Sequence, residues 1–199
     1  MLWLIIVTGR PAAGKSTLAN WLGGKLALPV VSKDGVKEIL FDQLGWRDRE
    51  RSKELGRASV ALMFHFAEKL LETRHSLILD NVFHSDLASP RFMKLIQKYN
   101  VNPLQIICNA PDDVLFERFR QRAVSGARHA GHVDLQCLDE YKQSLQANPM
   151  QILEIGGEII EVDTTDLSAV RYEKILEQVQ AILGQHVQST NEKNVNRQS

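Results

Sequence analysis

The segment Gly9–Ser16, with the sequence GRPAAGKS, is the feature that most constrains how this chain can fold. It fits the pattern G-x-x-x-x-G-K-[ST] in full. The apolar run Leu2–Thr8 before it predicts a buried strand, and leucines recurring at every fourth position predict a helix from Lys15 to Ala27 after it. A strand that enters a helix through a glycine-containing loop begins a βα unit, so the segment predicts an α/β fold.

The rest of the chain repeats this alternation. Short apolar runs at 30–31, 76–80, 104–108 and 158–162 predict further strands. Helices are expected at 34–44, from 47–57 to Thr73, at 90–99 with Ser89 as N-cap and Pro90 first, at 111–123, from Asp134 to before Pro149, and at 167–183. We predict a P-loop three-layer α/β/α sandwich over 1–184, with a parallel sheet of about five strands. The polar segment 185–199 is expected to be a mobile tail without a catalytic role.

The chemistry of the motif predicts a nucleoside triphosphate site. Its two glycines let the backbone approach phosphates, and the N–H groups at the following helix start donate to them. A lysine at this position bridges β- and γ-phosphate oxygens, and the next hydroxyl ligates Mg²⁺. We therefore predict ATP and Mg²⁺ as cofactors, with a nucleotide-binding set of Gly9, Ala12, Ala13, Gly14, Lys15, Ser16 and Thr17.

Two carboxylates are expected beside the phosphates. Asp34 follows the second strand, so it should lie at the carboxyl edge of the sheet, where it could take the proton of an acceptor hydroxyl. The alternative is an N-cap role, which Ser32 could equally supply. Asp80 ends the third strand and so should lie at the same edge of the sheet. Lys37 is a further candidate for substrate binding.

Arginines on the helix after Pro111 predict a lid. Arg118 and Arg122 are four positions apart and share one helix face, and Arg128 follows near a glycine-containing break. We expect a helical lid over about 118–134, in which Arg118 and Arg122 are catalytic and Arg128 binds substrate. A solvated helix face is the alternative. The remaining histidines of interest are His129 and His132, expected to face phosphate or to form a hinge, and His84, a candidate substrate contact.

The sequence disfavours several functional classes of protein. Asp42–Gly45 resembles the D-x-x-G of GTPases but falls at the end of a helix, and Asp80 is followed by Asn81 instead of a water-activating glutamate. Equal numbers of basic and acidic residues, 24 each, disfavour general binding to nucleic acids or anionic membranes. No apolar run reaches the roughly 20 residues that span a bilayer, which predicts a cytoplasmic protein. Both cysteines and the segment His65–Phe66 are expected in the core.

The motifs taken in order resemble a known group. They are GRPAAGKST, SKDGVKE, LILDN, ERFRQR and SGARHAGH. Together they are similar to those of AAA_33-type P-loop kinases related to polynucleotide 5′-kinase, chloramphenicol phosphotransferase and the zeta-type toxins, over residues 1–183. The resemblance implies that Lys15 and Ser16 hold phosphates and magnesium and that Asp34 is the base. It also implies that Asp80 assists the metal, with Ser16, or binds the substrate, and that Arg118 and Arg122 come from the lid. Lys37 departs from the pattern of the polynucleotide kinases, which usually have arginine there.

These inferences favour a phosphotransferase that uses ATP and Mg²⁺ and moves the γ-phosphate to a hydroxyl of a small-molecule or nucleoside-like acceptor. Two alternatives remain open. One is an ATP-binding regulatory module with negligible turnover, which would have no need of a base at Asp34. The other is a kinase of sugar nucleotides similar to the zeta toxins, which would differ only in its acceptor pocket. The sequence does not identify the acceptor.

Overall fold

A computed structural model describes residues 1–147 and 149–195, with side chains up to residue 184. Its five strands are β1 (Trp3–Gly9), β2 (Val30–Ser32), β3 (Leu77–Asp80), β4 (Asn102–Asn109) and β5 (Glu158–Asp163). Its helices are α1 (Lys15–Leu26), α2 (Lys33–Leu44), α3 (Arg49–Glu72), α4 (Ser85–Tyr99), α5 (Asp112–Ser125), α6 (Leu138–Ala147) and α7 (Tyr172–Val195). Two 3₁₀ turns, Ala130–His132 and Asp134–Cys137, lie between α5 and α6.

The strands form one parallel sheet in the order β2-β3-β1-β4-β5. This confirms the predicted α/β sandwich with helices on both faces. The chain leaves β1 toward β2 and β3 on one side, while β4 and β5 lie on the other side. The carboxyl end of β1 is therefore the point where the strand order reverses, which is where open α/β sheets bind ligands.

The alternation of side chains along β1 divides the core into two layers. Trp3, Ile5 and Val7 pack toward α1, α5, α6 and α7, and Leu4 and Ile6 pack toward α3 and α4. Every residue of β1 is buried, as expected for a central strand of a parallel sheet. Because both faces of β1 are covered, the loop that follows it starts from a rigid support.

The start of α4 differs from the sequence prediction. This helix begins at Ser85 with His84 as its N-cap, and Pro90 lies inside it. The hydroxyl of Ser89 does not cap the helix; it lies 2.9 Å from the hydroxyl of Ser85 and accepts a hydrogen bond from the N–H of Glu154. A proline is tolerated here because it lies only one turn inside the helix, at the cost of a single intrahelical hydrogen bond.

Other boundaries shift by less. A 3₁₀ turn precedes α6, and α7 begins at Tyr172, five residues after its predicted start. That helix continues to Val195, into the segment predicted as a tail. Residues 196–199 lie outside the described residues, and the expected mobility of 185–199 stays a prediction.

The expectation that His65 and Phe66 belong to the core is wrong. His65 is exposed and Phe66 is 43% exposed. Met63, Phe64 and Ala67 occupy the face of α3 that packs on the sheet, and a residue advances about 100° around a helix, so positions 65 and 66 fall on the opposite side. Cys108 and Cys137 are buried free thiols, as predicted. Of the helices in the described part of the chain, none has the length and apolarity to cross a bilayer.

Candidate active site

The loop after β1 needs glycine at two of its positions. Gly9 and Gly14 have φ angles of 146° and 78°, in the region that favours glycine. A Cβ at Gly9 would collide with the backbone carbonyl of Cys108 on the neighbouring strand. Gly14 is the N-cap of α1, and no side chain caps this helix. The first N–H groups of α1 therefore face the loop without a side-chain partner and can receive an anion.

Lys15 is buried at the base of this loop. Its side chain is 8% exposed, and Nζ donates to the carbonyl of Arg10 at 2.8 Å. Burial lowers the pKa of this ammonium group, and the nearby carboxylate of Asp80 partly offsets the effect. Arg10 in turn anchors the loop from outside, because its guanidinium pairs with Asp112 at 2.6 Å and donates to the carbonyl of Ala110.

Asp80 and Ser16 provide oxygen ligands that fit a magnesium ion. Asp80 is 3% exposed, and its Oδ1 has no hydrogen-bond partner among the described residues. Burial raises the pKa of this carboxyl, whereas hydrogen bonds from the hydroxyls of Ser16 and Ser32 lower it. Mg²⁺ in nucleotide sites is held by one or two carboxylates or hydroxyls together with phosphate oxygens and water. The residues present therefore fit the ion, which would give the buried Oδ1 of Asp80 the partner that it lacks among the described residues.

Asp34 does not cap α2. The N-cap is Ser32, whose hydroxyl accepts from the N–H of Gly35 at 3.5 Å. Asp34 is the second residue of the helix, and its carboxylate binds Lys33 at 3.0 Å and the guanidinium of Arg128. Burial alone would raise the pKa of Asp34, but the charges of Lys33 and Arg128 outweigh it and hold that pKa well below its ordinary value. Asp34 is thus an ionised carboxylate without a capping role.

The last turn of α5 and the segment after it bring two arginines to Asp134, and one of them also contacts Asp34. Arg128 bridges Asp34 and Asp134, with its Nη1 3.0 Å from Oδ1 of Asp134. Arg122 lies 3.5 Å from the same Asp134 and over the ring of Phe119. Burial lowers the pKa of Arg122, and its Nε has no hydrogen-bond partner among the described residues.

Arg118 points to a different part of the site. Its guanidinium donates to the carbonyls of Thr164 and Thr165, at 2.7 and 2.8 Å, just beyond β5. The two arginines predicted to share one helix face therefore have separate partners, Arg118 on the β5 side and Arg122 near Asp134. Arg120, on the other side of α5, is paired with Glu117 instead.

The predicted lid is docked on α2. The ring of Phe41 stacks on His129 and meets the edge of His132, at centroid distances of 5.1 and 5.2 Å. Both imidazoles form hydrogen bonds with carboxylates of α2. The Nε2 of His129 lies 3.1 Å from Oδ1 of Asp42, and the Nε2 of His132 lies 2.9 Å from Oε1 of Glu38. These hydrogen bonds join both imidazoles to α2. His132 also lines the same cavity as the phosphate loop, and the expected role in facing phosphate stays a prediction. Burial and Arg128 lower the pKa of His132 to about 2, so this imidazole is neutral.

Gly131 lies between the two histidines, directly against Phe41. A Cβ at this position would come within 2.6 Å of the Phe41 ring, which is itself 1% exposed. The close approach of the lid to α2 therefore depends on the absence of a side chain at residue 131.

Lys37 lies one turn beyond Asp34 and is 4% exposed. Its Nζ donates to the hydroxyl of Ser52 at 2.8 Å and lies 5.0 Å from the centroid of the Phe41 ring. Burial, followed by the positive charge of Lys33, lowers the pKa of Lys37 to about 8.

A cavity of about 610 Å³ joins these groups. Most of the predicted site residues line it, namely Ala12, Gly14, Lys15, Ser16, Thr17, Asp34, Lys37, Asp80, His84, Arg118, Arg122 and Arg128. Gly9 and Ala13 do not line it, because Gly9 packs on β4 and Ala13 lies in the core. Their contribution to nucleotide binding stays a prediction.

The sequence reasoning missed other lining residues. Lys33 could have been found because it is next to Asp34 in sequence, whereas no motif in the sequence indicated Arg49 or Glu140. These two form a bidentate pair at 2.8 and 3.0 Å between the start of α3 and α6. Tyr141 of α6 donates to the carbonyl of Pro11 in the phosphate loop at 2.6 Å.

Comparisons with known proteins agree with this architecture. The sequence profile of AAA_33, described as an AAA domain, matches residues 4–148. A candidate kinase from Chloroflexus aurantiacus J-10-fl is 38% identical, with a TM-score of 0.81 over 90% of this chain and 97% of its own. No curated protein sequence is significantly similar to this chain.

Two solved structures with lower identity share the fold alone. Shikimate kinase from Bacteroides thetaiotaomicron is 22% identical, with a TM-score of 0.50 over 92% of this chain and 99% of its own. The APS kinase CysC of Mycobacterium tuberculosis, solved with AMPPNP and APS, is 15% identical, with a TM-score of 0.56 over 92% of this chain and 97% of its own.

Proposed function

This chain belongs to the AAA_33 family of AAA domains, and from that premise we propose that it is a phosphotransferase, dependent on ATP and Mg²⁺, that moves the γ-phosphate to a hydroxyl of a small-molecule or nucleoside-like acceptor. One observation carries the proposal. The carboxylate of Asp34 and the phosphate loop line the same cavity, and Asp34 has no capping duty that would otherwise explain it.

The nucleotide end of the cavity is formed by the loop after β1. Phosphate oxygens would accept hydrogen bonds from the free N–H groups at the start of α1, and Lys15 would exchange its bond to the Arg10 carbonyl for the β- and γ-phosphates. Magnesium, held by Ser16 and Asp80 together with phosphate oxygens, would neutralise part of the phosphate charge. The oxygen-only donor set supports that choice of ion.

Asp34 serves the acceptor. Its carboxylate accepts the proton of the acceptor hydroxyl as that oxygen forms a bond to the γ-phosphorus. The bond between the γ-phosphorus and the bridging oxygen of ATP breaks, and ADP leaves with the electron pair of that bond. The products are ADP and the phosphorylated acceptor, and the proton passes from Asp34 to solvent. Asp34 is ionised at physiological pH, as a proton acceptor must be, because its pKa lies well below its ordinary value.

The lid supplies positive charge to the transferring group. Arg122 and Arg128 both lie against Asp134, and Arg128 also contacts Asp34. The Nε of Arg122 has no hydrogen-bond partner in the part of the chain that the structure describes. Guanidinium groups in such positions stabilise the equatorial oxygens of the transition state and exclude water. When a γ-phosphate competes for Arg128, the contact with Asp34 is released and the carboxylate becomes free for the acceptor hydroxyl.

The location proposed is the cytoplasm. The reaction consumes ATP, and the two buried cysteines are free thiols, as in proteins of reducing compartments.

The test is transfer of label from [γ-³²P]ATP to a panel of alcohols, sugars and nucleosides, with intact protein and Mg²⁺. We expect acceptor-dependent ADP release that is lost in Asp34→Asn, while binding of AMPPNP is kept. A protein that binds AMPPNP but transfers phosphate to no acceptor, and whose lid changes conformation with the nucleotide, would instead be a regulatory module. That result would overturn the proposal.

A further inference from the structure

The phosphate loop is bound by α6 at two successive residues. The hydroxyl of Tyr141 donates to the carbonyl of Pro11 at 2.6 Å, and the guanidinium of Arg10 donates to the carbonyl of Leu145 at 3.5 Å. Among the described residues, Tyr141 is the only one that gives the Pro11 carbonyl a hydrogen bond. The orientation of that carbonyl therefore depends on a side chain 130 residues further along the chain.

The backbone next to this contact is strained. Ala12 has a φ of 65°, in the left-handed region that residues other than glycine rarely adopt. If the peptide group between Pro11 and Ala12 rotated by half a turn, this φ would reach a negative value that alanine adopts without strain. Some interaction has to hold the peptide group in its present orientation, and the hydrogen bond from Tyr141 acts directly on it.

The orientation of this peptide group decides what the loop presents to a phosphate. The peptide bond is trans, so the carbonyl of Pro11 and the N–H of Ala12 point in opposite directions. The carbonyl faces Tyr141, and no described residue accepts a hydrogen bond from the N–H of Ala12, which lines the cavity with Lys15. The present orientation offers an anion a donor, whereas the rotated one would offer it a carbonyl oxygen, which repels negative charge.

The ring of Tyr141 is itself held in place. It is 5% exposed and packs on the ring of Phe119 in α5, with centroids 4.3 Å apart. Burial raises the pKa of Tyr141, so the hydroxyl keeps its proton and remains a donor. The hydroxyl therefore reaches the Pro11 carbonyl from a packed ring on a helix, which is the kind of support that a positioning group requires.

We propose that Tyr141 is a positioning residue of the nucleotide site, which holds the peptide group between Pro11 and Ala12 so that the N–H of Ala12 donates to a phosphate of the nucleotide. Tyr141 acts through the backbone of the loop and not by contact with the nucleotide. The inference rests on the nucleotide-binding step of the proposed function, and it depends neither on the acceptor nor on phosphate transfer.

The first experiment removes only the hydroxyl. Tyr141→Phe keeps the ring against Phe119, and we expect the Kd for AMPPNP with Mg²⁺, measured by calorimetry, to rise roughly three- to tenfold, the effect of one hydrogen bond. Tyr99→Phe, which removes a hydroxyl that donates to Glu68, is the matched control and should leave this Kd unchanged. Melting temperatures establish that each variant is folded. An unchanged Kd in Tyr141→Phe would overturn the inference.

The second experiment separates positioning from a general role in stability. Ala12→Gly removes the steric cost of the positive φ, so the hydroxyl of Tyr141 has less strain to oppose. The rise in Kd caused by Tyr141→Phe should therefore be smaller when Ala12→Gly is also present, and the two single variants with the double variant form a double-mutant cycle. If Tyr141 only stabilised α6, the rise would be the same in both backgrounds, and the inference would be overturned.

The amide proton of Ala12 gives a direct readout by nuclear magnetic resonance. In isotope-labelled protein its resonance should move downfield when AMPPNP and Mg²⁺ bind, because a hydrogen bond to phosphate deshields the proton. A resonance that does not move would overturn the inference, as would a failure of the unmodified protein to bind AMPPNP. A protein that binds AMPPNP through this N–H but phosphorylates no acceptor would overturn the proposed transfer alone.

Discussion

Arg128 and Asp34, 94 residues apart in sequence, are in direct contact, with the guanidinium of the lid donating to the carboxylate of α2. The contact connects the two parts of the site that the proposed reaction needs, a base and a cation for the transferring phosphate. It also keeps the carboxylate ionised in the free protein, because Arg128 and Lys33 together outweigh its burial.

Asp34→Asn should separate catalysis from folding. We expect transfer to fall by roughly 10²- to 10⁴-fold, the usual contribution of a positioned base. The helix keeps its cap at Ser32, and Asp34 is 40% exposed, so the lost ion pairs should lower the melting temperature by only about 2–4 °C. Asp86→Asn, the same change at the second position of α4, is the control. Normal transfer by Asp34→Asn would remove Asp34 from the mechanism.

Lys15→Ala should abolish most of the transfer without unfolding the protein. Lys15 is buried and its pKa is lowered by desolvation, so its loss removes an unfavourable burial of charge together with one hydrogen bond. We expect the transfer rate to fall by at least about 10²-fold and the melting temperature to stay the same or rise. Lys25→Ala, on the exposed side of the same helix, should change neither. Full activity in Lys15→Ala would refute the assignment of the phosphate loop.

Arg122→Ala should affect the rate of transfer more than the binding of ATP. Arg122 lines the cavity near Asp134, and its Nε has no hydrogen-bond partner among the described residues, so the proposed mechanism uses it to bind the γ-phosphate as that group leaves ATP. We expect kcat to fall by about 10²-fold with little change in the Kd of AMPPNP. Arg120→Ala, which breaks only an exposed pair with Glu117, should be neutral. An equal loss of nucleotide affinity would make Arg122 a binding residue of the ground state.

Gly131→Ala should release the lid from α2. The new Cβ would stand 2.6 Å from the ring of Phe41, so either the ring or the lid has to move. We expect transfer to fall at least tenfold while AMPPNP still binds, since the phosphate loop is untouched. Gly24→Ala, at an open position of α1, is the control for the added methyl group. Unchanged transfer with Gly131→Ala would mean that docking of the lid is dispensable.

The sequence was sufficient to predict the sheet and the phosphate loop, because both depend on local patterns. The buried run of β1, the glycines at positive φ and the strand ends at Ser32 and Asp80 all follow from residues close in the chain. The predicted start of α4 was wrong because, in the sequence, a proline one turn into a helix resembles a proline at its first position. The exposed His65 was missed because an apolar run hides which side of a helix packs.

The contacts of the candidate site were less predictable. Arg128 was identified as a cation of the lid, but nothing local indicated that it pairs with Asp34. The pairing of Arg49 with Glu140 joins residues 91 positions apart in two helices, and its formation depends on the assembled fold. Lys37 was identified as a candidate for substrate binding, whereas its burial and its hydrogen bond to Ser52 depend on how α2 packs against α3.

The pair between Arg49 and Glu140 also has an energetic consequence. It connects the start of α3 to α6 at the cavity by charges that are 34% and 49% exposed. Separating such a pair costs about 0–1 kcal/mol, and dissolved salt reduces that cost further. We therefore expect this contact at the rim of the cavity to open at little cost in free energy, without unfolding of either helix.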